Sequence, residues 1–505
     1  MKEGCDLRDE LAELNALLDR LRLKRYDIKR KINQFYSPIV RQLPPDVMST
    51  IFEFCLPDFA DTQILPSLKP FSPLYLGAIC SYWRDIAWST PSLWSSLVVC
   101  DPSDCDSHLV TGIAREWLAR SGRLPLSIYI LSTFDNKTVS ALIDVINHYS
   151  PRWSELDLLM PSKYYERFHA SDNHEAIHAP TLKSIRFRCE ALTIVKKLNF
   201  RLTCPRLERA SLSYFPLPGS NIQWDNLTHL TQHSMTLIDS FIILRKTPRL
   251  VFCQASGFIS LRRVGEQNIS PLVLTSLRSL HLLINSLAIE EFLNNLTVPH
   301  LEEFSLLRKY STTSIEVITS FLRRSACSLC SLSMIFETFP YYFEGFMNIL
   351  QSMPSLTTLS IQSVTSFKIT SPGEYDPRNI LELVVKVLSS QSTSRQQGFL
   401  PNLRILEYTG ELFLHSGNYN DLYPLTPADN GVRCPLHLLK LELYPADRIP
   451  ENMISYVSSL AERGITVNVS SDSKDILRSS IDYYRSRKES LCRDWSDDLD
   501  LTLFS

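Results

Sequence analysis

The sequence predicts an α + α/β protein: a small helical N-terminal module followed by an irregular, horseshoe-like solenoid of strand-and-helix repeats. Three observations carry this. A heptad pattern fills the stretch before residue 37. Amphipathic segments bounded by proline and rich in tryptophan follow to residue 97. An apolar phrase then recurs at intervals of about 24 to 29 residues, the period of one strand plus one helix. Leucine makes up roughly 15% of the 505 residues, the level such repeats need.

Composition removes other classes. With 52 Lys+Arg against 54 Asp+Glu the net charge is −2, which favours neither nucleic acid nor a membrane surface as partner. Hydrophobic content of 44% and charged content of 21% are those of a folded chain. No two of the 14 glycines lie closer than Gly410 and Gly417. The dinucleotide fingerprint, the phosphate-cradling loop and the serine-nucleophile elbow all need closer glycines and are therefore absent. The opening residues lack the apolar core of a secretory signal, and no run of about 18 apolar residues follows, which reads as a cytoplasmic or nuclear protein. The 12 cysteines are scattered, and the lone Cys327-x-x-Cys330 lacks the second pair of a four-ligand zinc site, so no metal and no cofactor is expected.

Residues 1–37 read as one helix. Leu7, Leu11, Leu14, Leu18, Leu21, Arg25, Ile28, Ile32 and Phe35 alternate at spacings of four and three, about four heptads with Arg25 as a polar break. Ser37-Pro38 ends it, because the residue before a proline is pushed out of the helical region. The seam is expected to pack within the chain, on the next module. A coiled coil with a second chain is the alternative.

In residues 38–97, Pro44 and Pro45 start a helix with Val47, Ile51, Phe54 and Cys55 on one face, and Pro57 ends it. After a loop from Asp58 to Pro73, a second helix is expected to carry Leu76, Ile79, Cys80, Trp83 and Ile86. The ordered set Leu43-Pro44-Pro45, Val47, Ile51-Phe52, Cys80 with Trp83-Arg84, and Pro91 with Leu93-Trp94 resembles the F-box, in the form common among F-box-like proteins of mushroom-forming fungi. Asp46 stands where glutamate is commoner, and the loop between the helices is longer than in compact F-boxes.

The resemblance implies a non-catalytic substrate receptor that binds a Skp-family adaptor and, through it, a cullin-based SCF-type ubiquitin ligase. The adaptor-binding residues it points to are Leu43, Pro44, Pro45, Val47, Ile51, Phe52, Leu76, Cys80 and Trp83. Physical reasoning runs the same way: so short a helical unit cannot bury Leu43, Pro45, Ile51, Leu76 and Trp83 by itself and should offer an apolar groove to a partner helix. A ligase-independent interaction scaffold is the alternative.

Residues 98–150 read as a linking segment and the start of the solenoid, and residues 151–470 as the repeats. The phrase Pro180-x-Leu182-x-x-Ile185-x-Phe187 returns with its first leucine at Leu207, Leu277, Leu301, Leu329, Leu356, Leu403 and Leu438, with weaker copies at Trp153 and Leu250. It is similar to leucine-rich repeats, in a degenerate form because the asparagine that usually follows the strand is missing. A protein substrate is expected on the repeats, and the inserts near Ile380–Leu388 and His415–Asn430 fall on loops at one edge. Residues 471–505 read as a terminal helix and an acidic tail.

One motif argues for chemistry. His174-Glu175-Ala176-Ile177-His178 matches the zinc-protease pattern His-Glu-x-x-His, which needs both imidazoles one turn apart on a helix. Pro180 leaves barely two turns for that helix, so the segment reads as the end of a repeat helix rather than a metalloprotease site.

Overall fold

The computed structural model describes residues 2–36, 42–56, 73–100, 106–132, 137–169, 176–189, 198–259, 269–283, 288–307, 315–336, 343–363, 400–410, 436–444, 448–449, 451–462, 464–472 and 474–499. Both expected inserts, Pro57 and the loop after it, and the pair His174-Glu175 lie outside these residues. The chain is mixed α/β with a large parallel sheet, and it divides into two units, residues 1–207 with 215–223 and residues 208–214 with 224–505.

The first unit opens with helix α1 (Lys2–Tyr36). Every residue from Glu10 to Ile32 is exposed, including Leu11, Leu14, Leu18, Leu21, Ile28 and Ile32. This corrects the expectation that the seam packs within the chain. The core it was expected to cover is instead closed by the aromatic residues that follow it.

Helix α2 (Pro45–Phe54) starts where Pro44 sets an extended backbone, and Asp46 lies in its first turn, where the helix dipole favours an anion. Met48 and Phe52 face inward and are buried with Leu76, Ile86, Ala87, Leu93 and Trp94. Fully burying one such side chain is worth about 1.5–3 kcal/mol. The second expected helix is two, α3 (Pro73–Ile79) and α4 (Ser81–Ser89), because Cys80 is extended (φ −156°, ψ 168°) and caps α4. Gly77 admits the Trp88 ring, into which a Cβ at that position would run. Trp88, Trp94 and Trp117 of helix α5 (Ser107–Arg120) pack edge to face, with centroids 5.2 and 4.9 Å apart. Trp94 Nε1 donates to the Ala87 carbonyl at 2.7 Å, so the buried indole is satisfied.

Strands β1 (Ser96–Cys100), β2 (Leu126–Leu131), β3 (Trp153–Leu159) and β4 (Ser184–Arg188) then pair in parallel, in chain order. The ladder thus begins at Ser96, at the end of the stretch read as F-box-like, and β1 and β2 both precede Pro151. Behind it Tyr165, Phe168, Phe187, Phe200 and Phe215 form a buried aromatic cluster. The Tyr165 hydroxyl lies within reach of the Leu158 and Arg188 carbonyls, at 3.0 and 3.1 Å. Ile177 and His178 form a short strand pairing with Leu202 and Thr203. This corrects the reading of that segment as the end of a helix. Pro180 keeps Ala179 out of the helical region, and pairing with Leu202 and Thr203 holds Ile177 and His178 extended.

In the second unit the parallel ladder comprises β5 (Arg209–Ser213), β6 (His229–Thr236), β7 (Phe252–Ile259), β8 (Ser279–Leu283), β9 (Glu303–Leu307), β10 (Ser331–Phe336), β11 (Thr358–Ser363), β12 (Ile405–Gly410), β13 (Leu438–Leu443) and β14 (Thr466–Ser471). The short β15 (Lys474–Asp475) closes the edge antiparallel to β14. Register stacks the phrase's inward residues: Cys253, Leu280, Phe304, Leu332, Leu359, Leu406 and Leu439 form one row. The last copy therefore begins at Leu436, which is buried, and not at Leu438. A further copy begins at Leu227 and ends on the buried polar residue Gln232, whose Oε1 accepts the Ser240 hydroxyl. Helices such as Ile315–Ser325 cover the back by burying Ile318, Phe321 and Leu322, and Arg324 donates to the Leu296 carbonyl at 3.0 Å. The terminal helix spans Ile476–Leu499.

Candidate interaction surfaces

Two surfaces stand out, one in each unit. On α2 the side chains divide sharply: Met48 and Phe52 are buried, whereas Val47 and Ile51 are each 40% exposed and Phe54 is 86% exposed. Positions 47, 51 and 54 follow helical spacing, so they form one apolar stripe. Helix α3 adds exposed Leu74, Tyr75 and Ile79 beside buried Leu76. The turn before α2 is held from inside, where the Tyr82 hydroxyl donates to the Leu43 carbonyl at 3.3 Å and Leu43 packs on the core. Ser49 Oγ and Thr90 Oγ1 lie 2.9 Å apart, tying α2 to the end of α4.

The nine residues named from sequence therefore separate. Pro44, Pro45, Val47 and Ile51 are exposed; Leu43, Cys80 and Trp83 are half-buried. Phe52 and Leu76 are core residues at 0% and 6% exposure, which corrects their assignment as adaptor contacts, since a partner cannot reach them in this conformation. They act through packing: the Phe52 and Trp83 rings sit 5.0 Å apart beneath the exposed stripe. Phe54, Leu74, Tyr75 and Ile79, which the sequence does not single out as contacts, are further exposed apolar residues of α2 and α3, and the spacing of Phe54 from Ile51 already places it on the stripe.

The second surface is the outward face of the strands. Ser211, Thr231, Gln254, His281, Ser305, Ser333 and Ser360 lie in one row, half-buried apart from the buried Ser305, and Glu407 and Lys440 continue it. Beside it the His229 ring stacks on Phe252 at 5.8 Å, and Phe252 lies tilted against His281 at 5.2 Å. Tyr214, Ser234 and Gly257, close together at the ends of β5 to β7, all adopt positive φ (51°, 50° and 64°). For a non-glycine residue this costs about 1–3 kcal/mol, and such strain collects at functional loci. There the His233 ring contacts Tyr214 and its Nδ1 lies 2.6 Å from Ser256 Oγ. That is a nucleophile-and-base spacing, and among the contacts of the described residues no carboxylate reaches the imidazole.

A charged cluster lies on the first unit's strands. Asp157 pairs with Arg188 at 2.7 Å and Arg186 at 3.1 Å, and the Tyr129 hydroxyl donates to Glu155 at 2.9 Å. Burial first, and then the Glu155 charge, hold the Tyr129 phenol far above its ordinary range. His178 is exposed in its strand. Among the described residues no group of three or more His, Cys, Asp and Glu is placed to hold a metal ion, and no helix is long and apolar enough to cross a membrane. No protein-family model matches the chain, and no curated protein matches it.

Proposed function

We propose that the chain is an F-box-like substrate receptor. Residues 38–97 bind a Skp-family adaptor of an SCF-type ubiquitin ligase, and the parallel ladder, a degenerate leucine-rich-repeat solenoid, holds a protein substrate. The observation that carries this reading is the division of α2, whose inner face is satisfied by the module's own core while Val47, Ile51 and Phe54 stay in water. Exposed apolar stripes on rigid helices are what partner helices bind. Pro44-Pro45, fixed before the stripe, gives a preorganised edge that loses little entropy on binding.

The substrate side rests on the polar row and the strained locus around His233, where hydrogen-bonding side chains are presented on rigid strands. The chain supplies recognition and the ligase supplies chemistry. Expression of the full chain and of an Ile51→Asp, Phe54→Asp variant tests both halves together. The adaptor should co-purify only with the unaltered chain, and the same substrate should co-purify with both. A chain that retains partners on its strands but never the adaptor would instead be a ligase-independent scaffold.

A further inference from the structure

The seam of α1 is uncovered from Leu11 to Ile32, and the charge along the helix is segregated. Residues 2–19 carry two cations against six anions, a net of −4. Residues 20–36 carry seven cations against one anion, a net of +6. Within the heptad, Leu11, Leu18, Arg25 and Ile32 occupy the a positions and Leu14, Leu21 and Ile28 the d positions. In a parallel pair the two Arg25 side chains would meet in one core layer, Lys24 would face Lys29, and the basic halves would lie side by side. Reversing one helix removes all three conflicts.

We propose that α1 forms an antiparallel coiled coil with a second copy of this chain. In the register that centres the dimer between positions 19 and 20, Leu11 packs opposite Ile28, Leu18 opposite Leu21, and Arg25 opposite Leu14 within the acidic half. Glu10 flanks Lys31 of the second copy, and the stem of Lys24 covers Leu17. Arg8 beside Lys29 is the one like-charged flank. The pairing buries the six apolar seam residues that the monomer leaves in water, and the opposed charge gradients select the orientation. The inference is independent of the adaptor reading, since it uses a different helix.

Sedimentation equilibrium of the full chain, with helicity checked by circular dichroism, tests the proposal. The chain should be a dimer, and deletion of residues 2–36 should make it monomeric. Glu10→Lys alone and Lys31→Glu alone should each weaken dimerisation about tenfold, through two symmetry-related flanks, and the double swap should restore it. A monomeric full chain, or a dimer that survives the deletion, overturns the inference. So does a dimer indifferent to the single reversals, because in a parallel pair Glu10 faces Asn15 and Lys31 faces Tyr36.

Discussion

The Cys80 sulfur accepts the backbone N–H of Trp83 at 3.4 Å, so the cysteine that breaks the helix also caps the helix carrying the tryptophan under the apolar stripe. Sequence and surface are linked at this point: the extended residue turns α4 so that Trp83 packs on Phe52, and Phe52 fixes which face of α2 is left outside.

The cap gives a first prediction. Cys80→Ser should keep it and leave stability nearly unchanged. Cys80→Ala, which removes the acceptor, should cost about 0.5–1 kcal/mol. Urea denaturation of the two variants measures the difference.

The Asp157 carboxylate gives a second. It is nearly buried between Arg186 and Arg188, so Asp157→Asn leaves two guanidinium groups facing a neutral amide. A loss of about 1–3 kcal/mol is expected. Asp157→Glu, if it reaches both arginines, should recover part of it. The denaturation midpoint reports both.

Thiol reactivity gives a third. Burial pushes the Cys204 and Cys253 thiols up to about 12, whereas Cys55 is exposed. Alkylation of the native chain near pH 8 should modify Cys55 and spare the other two, as read by peptide mass spectrometry. The unfolded chain ionises these thiols first, so their contribution to stability is complete below an unfolded value of about 8.5 and is lost as pH rises through the folded value. Stability should therefore fall with pH across that window.

Much of the fold is readable from periodicity because register stacks the same two phrase positions strand after strand. The rule is obscured where an unexpected residue fills a phrase position or two phasings compete. Gln232 hides a repeat because a polar side chain fills an inward position and meets its partner, Ser240, on the following helix. Leucines at 436, 438, 439, 441 and 443 admit two phasings, and only pairing with Leu406 selects the first. The break at Cys80 was illegible because sulfur is not among the usual capping groups. Phe52 and Val47, both apolar on the same short helix, looked alike as contacts until packing separated them. The exposure of α1 could not be read either, since periodicity marks an apolar seam without saying what covers it.

A fourth prediction concerns the motif that argued for zinc. His178 lies in a strand paired to Thr203, so its imidazole is not presented from a helix. Elemental analysis of the purified chain should find no stoichiometric zinc that depends on His174 and His178.

Calorimetric titration of the full, folded chain with a purified Skp-family adaptor separates a ligase receptor from a scaffold. A ligase receptor should show saturable one-to-one binding at micromolar concentration or below. A Val47→Asp, Ile51→Asp variant with an unchanged circular dichroism spectrum should bind about thirtyfold more weakly, corresponding to a loss of about 2 kcal/mol of interface contacts. Absence of binding by the folded chain, or equal affinity of the variant, would contradict the receptor reading.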